Sequence, residues 1–101
     1  MIIVIVTFKI NSEITEAMLK DKFLETSTIY KDTKGLIRKN YISEPSKNLA
    51  GGVYCFDNLA NAKSWFDEER IAWITNRYSK PDLKFYENPV TVDNNSDEII
   101  S

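Results

Sequence analysis

The sequence predicts an α+β domain of β-α-β-β-α-β order. This is the ferredoxin-like arrangement, a four-stranded antiparallel sheet with the helices on one face. Three observations carry the prediction. Apolar β-branched runs and segments of helical period follow one another in that order. The two middle strands are joined by a turn short enough to make them an antiparallel hairpin. The chain has 101 residues, 43% of them apolar, enough for one packed core and no second one.

The first strand is expected over residues 2–10, opening Ile2-Ile3-Val4-Ile5-Val6, where β-branched side chains favour extended backbone on both faces. Asn11 and Ser12 then offer capping oxygens, and Glu13 and Glu16 suit the positive end of a helix dipole. A helix fits residues 14–31: Ile14/Met18 and Leu19/Phe23 are i,i+4 neighbours, and no Gly or Pro interrupts. Gly35 supplies the stop because it alone takes positive φ at little cost. The second strand covers 35–44, Pro45-Ser46-Lys47-Asn48 turns the chain, and the third strand runs from Gly51 to Phe56. Asp57 or Asn58 caps a second helical region from Leu59 to about Tyr78, with a break into two helices indicated at Asp67-Glu68-Glu69. The last strand is expected over 83–92, with Pro89 restricting it to an edge or a bulge. Residues 1–94 thus form the domain, and 95–101 a polar C-terminal tail.

This topology leaves one sheet face without cover from its own helices. The first strand is nevertheless apolar on both sides: Ile3 and Ile5 on one, Ile2, Val4, Val6 and Phe8 on the other. An exposed apolar sheet is unfavourable in water, so a second copy is expected to cover it, closing a homodimeric α+β barrel.

Composition removes several kinds of chemistry. The chain has no histidine, which excludes Ser-His-Asp and Cys-His nucleophile systems, HExxH metal sites and a histidine-held haem. A single cysteine excludes an intramolecular disulfide and a four-cysteine metal site. The net charge is −2 without a basic cluster, so no nucleic-acid partner is expected. The apolar opening is too short to span a membrane and lacks signal-peptide flanks, which makes a cytoplasmic location the expectation. Cys55 reads as a small core hydrophobe.

A candidate site follows from strand parity. Lys39 and Tyr41 share one face of the second strand, with Arg38 and Asn40 on the other; a hairpin centred on 45–50 sets Tyr41 roughly opposite Tyr54. Two phenols and a lysine then share a face, in a pocket walled by aromatics such as Phe23, Tyr30, Trp65 and Phe66. Two readings stand. The tyrosines are a ligand-facing pair, or they are a cross-strand packing pair with Lys39 reaching out to solvent. An interior-strand lysine among Leu36, Ile37 and Ile42 needs a carboxylate, a ligand or a route to water. Gly51-Gly52 lacks dinucleotide or P-loop spacing and reads as a close backbone approach or a bulge. Trp65, Phe66, Trp73 and Ile74 sit at helical spacings, as core or interface residues do.

The segments Gly35-Leu36-Ile37-Arg38-Lys39-Asn40-Tyr41-Ile42 and Ala50-Gly51-Gly52-Val53-Tyr54 resemble the "GLxxKxYL…(A)GGVYxF" signature of the YdhR-like monooxygenases, relatives of the antibiotic-biosynthesis monooxygenases. Phe85-Tyr86-Glu87-Asn88-Pro89-Val90-Thr91-Val92-Asp93-Asn94 is similar to the closing strand of that group, and Phe23-Leu24-Glu25 with Tyr30 to its first helix. The likeness spans about residues 2–94, and Ser79 departs from it where many relatives carry glycine. It implies a dimeric α/β barrel and oxygenation of a small aromatic or polyketide-like molecule without metal, haem or flavin. Lys39, Tyr41 and Tyr54 are then the candidate catalytic residues. Arg38, Asn40, Phe23, Tyr30, Trp65 and Phe66 are the candidate substrate-binding residues. Without histidine, a proton acceptor has to be a carboxylate, a lysine of depressed pKa, a tyrosinate or solvent. The alternative is a non-catalytic dimer that binds a small apolar compound, as a stress-related protein would.

Overall fold

The computed structural model describes residues 1–101. Its elements are β1 (Ile2–Lys9), α1 (Glu16–Lys31), β2 (Leu36–Glu44), β3 (Leu49–Phe56), α2 (Leu59–Trp65), α3 (Glu68–Arg77), β4 (Asp82–Glu87), β5 (Thr91–Asp93) and β6 (Glu98–Ile100). The first four-stranded sheet is antiparallel with order β2-β3-β1-β4, which is the ferredoxin-like topology. β1 and β3 are therefore interior strands, and β4 is an edge, as Pro89 demands of the segment it ends.

Strand parity sets the layers. Ile2, Val4, Val6 and Phe8 are buried beneath the helices, while Ile3, Ile5 and Thr7 on the other side are only half-buried. Leu19 of α1, Ala62 and Phe66 around α2, and Ile74 of α3 close over Tyr54 and Phe56 of β3 to complete the core. The largest fully buried side chains, Phe56, Leu19, Val4 and Val6, come from the sheet and from α1.

The helix ends lie slightly inside their expected limits. Asn11 Oδ1 accepts from the Glu13 N–H and closes a turn of its own, so the cap of α1 passes to Thr15, whose Oγ1 accepts from the Met18 N–H. Glu16 at the start and Lys31 at the end still complement the helix dipole. The second helical region does break. Phe66 leaves helical geometry, and Asp67 caps α3 by accepting from the Arg70 N–H at 2.8 Å. The acidic run thus lies at a helix start, where negative charge is favourable.

Three expectations are corrected. β3 begins at Leu49 rather than Gly51, because Pro45–Lys47 form one turn of 3₁₀ helix closed by Asn48 in the left-handed region (φ 52°). The tighter turn slides the ladder, so Lys39 pairs with Tyr54, and Tyr41 lies opposite Gly52. Cys55 is not a core residue: odd positions of β3 face away from the helices, and its half-buried thiol lies 3.9 Å from the Met1 sulfur. The final extended segment stops at Glu87, and residues 91–100 form a separate two-stranded hairpin. Asp93 Oδ1 accepts from the Asn95 and Ser96 N–H groups at the head of its turn, and Asp97 takes the left-handed conformation (φ 57°).

No helix is long and apolar enough to cross a membrane. Gly35 does adopt positive φ, at 79°. Gly51 has a different role: a Cβ there would collide with the Val6 carbonyl of β1. Gly51→Ala is therefore expected to destabilise the protein by about 1–3 kcal/mol, since the obstacle is backbone of an interior strand and cannot swing aside. Urea denaturation of the two proteins checks this, and equal midpoints would overturn it.

Candidate functional site

The site forms where the helix-facing side chains of β2 and β3 meet α1 and α3. Phe23, Thr26 and Tyr30 lie at i, i+3 and i+7 on α1 and so share the face turned to the sheet. β2 sends Lys39 and Tyr41 to the same layer, and β3 adds Tyr54. With Phe8, Gly51, Trp73, Ile74, Arg77 and Tyr78, these residues line a cavity of about 20 Å³. That is room for about one water molecule.

Lys39 is the centre of the arrangement. Its Nζ lies 3.5 Å from the ring centroid of Tyr30, 3.7 Å from that of Tyr41 and 4.6 Å from that of Tyr54. The chain's two ion pairs are Lys47–Glu44 and Arg77–Glu25, so no carboxylate lies within 4 Å of Lys39. Ring faces are its partners instead. Gly52 makes room for the lysine: a Cβ at that position would stand 2.9 Å from Lys39 Cε and 3.1 Å from a Tyr54 ring carbon.

The surrounding rings brace one another. Phe23 stacks on Tyr41 with centroids 4.5 Å apart, and Tyr30 meets Tyr41, Tyr54 and Trp65 edge-on. Thr26 Oγ1 donates to the Phe23 carbonyl, so its 2.7 Å contact with Tyr41 uses the Tyr41 hydroxyl as donor. Arg77 bonds Glu25 at 2.8 Å and the Lys22 carbonyl at 3.2 Å, tying α3 to α1 across the top. Arg70 lies over the Trp65 ring at 3.8 Å and near that of Trp73 at 5.0 Å. An outer groove of about 560 Å³ between α1 and β2 shares Phe23 and Tyr41 with the cavity.

Burial pulls the Lys39 amine down to about 6, and the positive charge of Arg70 adds to the effect. Burial also raises the phenols of Tyr54, Tyr30 and Tyr41 above their ordinary value. At neutral pH the site thus combines a free amine with phenols that keep their protons. This is a proton acceptor beside hydrogen-bond donors.

Of the residues expected in the site, Lys39, Tyr41, Tyr54, Tyr30 and Phe23 are brought together. Trp65 stands behind Tyr30, and Phe66 lies in the core against Tyr54, Phe56 and Phe85. Arg38 and Asn40 are exposed on the opposite sheet face, where Arg38 borders the C-terminal hairpin. Thr26, Trp73, Arg77 and Tyr78 were not anticipated. Helical spacing from Phe23 and Tyr30 was the signal available for Thr26; the approach of α3 to α1 left none for Arg77. No group of three metal-ligating side chains gathers in the chain.

The lysine's state has a consequence for stability. Its pKa is near 6 when folded and 10.5 when unfolded, so between those values the unfolded chain binds more protons. Stability from this group therefore rises with pH across that window and is lost as pH falls toward 6. Lys39→Met is expected to be more stable than the parent at pH 7, with a smaller advantage at pH 9.5. Urea denaturation at both values checks it, and a constant difference would overturn it.

Residues 3–84 match the model of a family described as "Putative mono-oxygenase ydhR". A search of curated proteins finds no match. Among solved structures, a putative antibiotic biosynthesis monooxygenase from Deinococcus radiodurans superposes with TM-score 0.69 at 14% identity, covering 92% of this chain and 97% of that one. SnoaB, a cofactor-independent oxygenase from Streptomyces nogalater, superposes with TM-score 0.64 at 12% identity, covering 90% and 95%. The NE2512 protein of unknown function from Nitrosomonas europaea gives TM-score 0.67 at 16% identity, covering 86% and 87%. At these identities the likeness is one of fold. The family match rests on sequence and takes in the strands and helices that build the lysine site, and by it this chain belongs to the ydhR mono-oxygenase family.

Proposed function

We propose that the protein is a cofactor-independent monooxygenase for a small aromatic or polyketide-like substrate, with Lys39 as the base. The observation that carries this reading is the Lys39 amine itself, on a half-buried side chain without a carboxylate in reach and faced by three tyrosine rings. Family membership and the fold shared with a cofactor-independent oxygenase support it.

The chemistry asks little of the protein. A substrate with an acidic CH₂ or phenol gives a proton to the free amine, and the electron-rich anion reacts with oxygen. An electron passes from the anion to O₂, and the two radicals join in a C–O bond. Loss of water from the resulting peroxide leaves a carbonyl, so a CH₂ becomes C=O, with one oxygen atom in the product and one in water. Lys39, now an ammonium, lies beside the anion it created, and the ring faces hold its charge. The phenols of Tyr30 and Tyr54 donate to the substrate oxygen. The body of the substrate occupies the groove between α1 and β2, with its reactive edge passing the Phe23–Tyr41 pair toward the lysine.

The active form in this proposal is a homodimer. Ile3, Ile5 and Val53 leave a half-buried apolar surface on the face opposite the helices, and a second sheet packed there would complete the barrel. Light scattering at micromolar concentration is expected to return twice the 11.7 kDa chain mass; a value of 11.7 kDa would sink the dimer.

Oxygen uptake with an anthrone tests the base. The rate is expected to fall as pH drops through about 6, where the amine takes a proton. Lys39→Met should lower kcat/KM by about 100- to 10,000-fold. Lys39→Arg should not rescue, because a guanidinium keeps its proton. Undiminished uptake by Lys39→Met would exclude the proposed base. Tight anthrone binding without uptake by the parent protein would make the protein a binder.

A further inference from the structure

We infer that the same lysine is a nucleophile for formaldehyde, capturing it as an iminium ion held by the tyrosine faces. The inference rests on the reading of Lys39 as a free amine in a lined cavity, and it assigns that amine a covalent role besides proton transfer.

Three features carry it. First, Lys39 is a half-buried lysine with no carboxylate within 4 Å, so nothing requires it to stay an ammonium. A lysine placed in an apolar pocket, or near another cation, is the form in which the side chain becomes nucleophilic. Arg70 lies over Trp65, the ring that Tyr30 meets edge-on, and its positive charge acts on the amine. The low amine pKa agrees with this placement. Second, the cavity beside the amine measures about 20 Å³, which admits a molecule about the size of water. Formaldehyde is close to that size. Third, the rings of Tyr30, Tyr41 and Tyr54 surround the nitrogen with π faces. Such faces attract methylated and other organic ammonium ions. An amine that becomes a cationic iminium therefore moves into surroundings already shaped for it.

The step balances without an external oxidant. The nitrogen lone pair forms a C–N bond to the carbonyl carbon while the C=O π pair goes to oxygen. That oxygen takes a proton, and nitrogen gives one up, leaving a neutral carbinolamine. Protonation of the hydroxyl releases water as the nitrogen lone pair forms C=N. Overall, amine, aldehyde and one proton give iminium and water. The protons exchange with solvent, and hydrolysis reverses the sequence.

Reductive methylation with formaldehyde and cyanoborohydride at pH 7 tests the inference on the intact protein, with modified positions mapped by peptide mass. Lys39 is expected to acquire methyl groups roughly tenfold or more faster than any of the nine other lysines. The preference should vanish in denaturant. Labelling of Lys39 at or below the rate of the other lysines overturns the proposal. So does a preference that survives denaturation, since local sequence would then be its cause. Oxygen uptake by the same preparation separates the two roles. Turnover with an unmethylated Lys39 removes only the aldehyde site, whereas methylation at Lys39 without turnover removes only the oxygenase reading.

Discussion

Every layer of this protein takes its place from β1. It pairs with β3 on one edge and β4 on the other, so its alternate residues must face opposite sides of the sheet. Ile2, Val4, Val6 and Phe8 form the floor on which all three helices pack. A one-residue slip in its pairing would exchange that floor for Ile3, Ile5 and Thr7. Gly51 guards the register from the β3 side, because only a residue without a Cβ can lie against the Val6 carbonyl there. The helices, the aromatic cluster and the lysine site depend on this ladder.

The lysine is the most costly feature built on it. An amine removed from water, with no carboxylate in reach, is stable in the fold chiefly as the neutral base. Tyr30, Tyr41 and Tyr54 cannot neutralise a charge, but their faces accept one when it forms. The group can thus exist in two states, neutral by desolvation and cationic by ring contact. A chain without histidine acquires in this way a base that titrates in the range histidine would cover.

The site is held by connections remote from the lysine. Thr26 fixes the Tyr41 hydroxyl, Phe23 stacks on the Tyr41 ring, and the Arg77–Glu25 pair binds α3 to α1 above them. The Arg77 guanidinium is partly buried against these elements, whereas its Glu25 partner stands mostly in solvent, so the Lys22 carbonyl shares in holding it. The ydhR family match covers most of these elements, whereas the solved relatives share the fold at 12–16% identity. Fold at that distance does not carry a reaction with it, so chemistry has to be argued from the lysine and its rings.

The sequence alone determined the order of elements, the α+β class, the break at the acidic run and the grouping of Lys39 with Tyr41 on one strand face. These depend on local periodicity, on capping residues and on side-chain alternation, all written within a few neighbouring positions. It also identified Tyr54, Tyr30 and Phe23 as companions, because aromatics at such positions point into the same layer. The tertiary structure decided the rest. The hairpin register followed from Asn48 entering the left-handed region, and this set Gly52 rather than Tyr54 opposite Tyr41, and Tyr54 opposite Lys39. The outward position of Cys55 and the folding back of residues 91–100 followed from which sheet face the helices occupied. The convergence of three rings on one nitrogen came from the docking of α1 and α3, contacts between residues up to 55 positions apart. A pKa set by burial depends on everything that excludes water, and a linear pattern of residues does not contain that information.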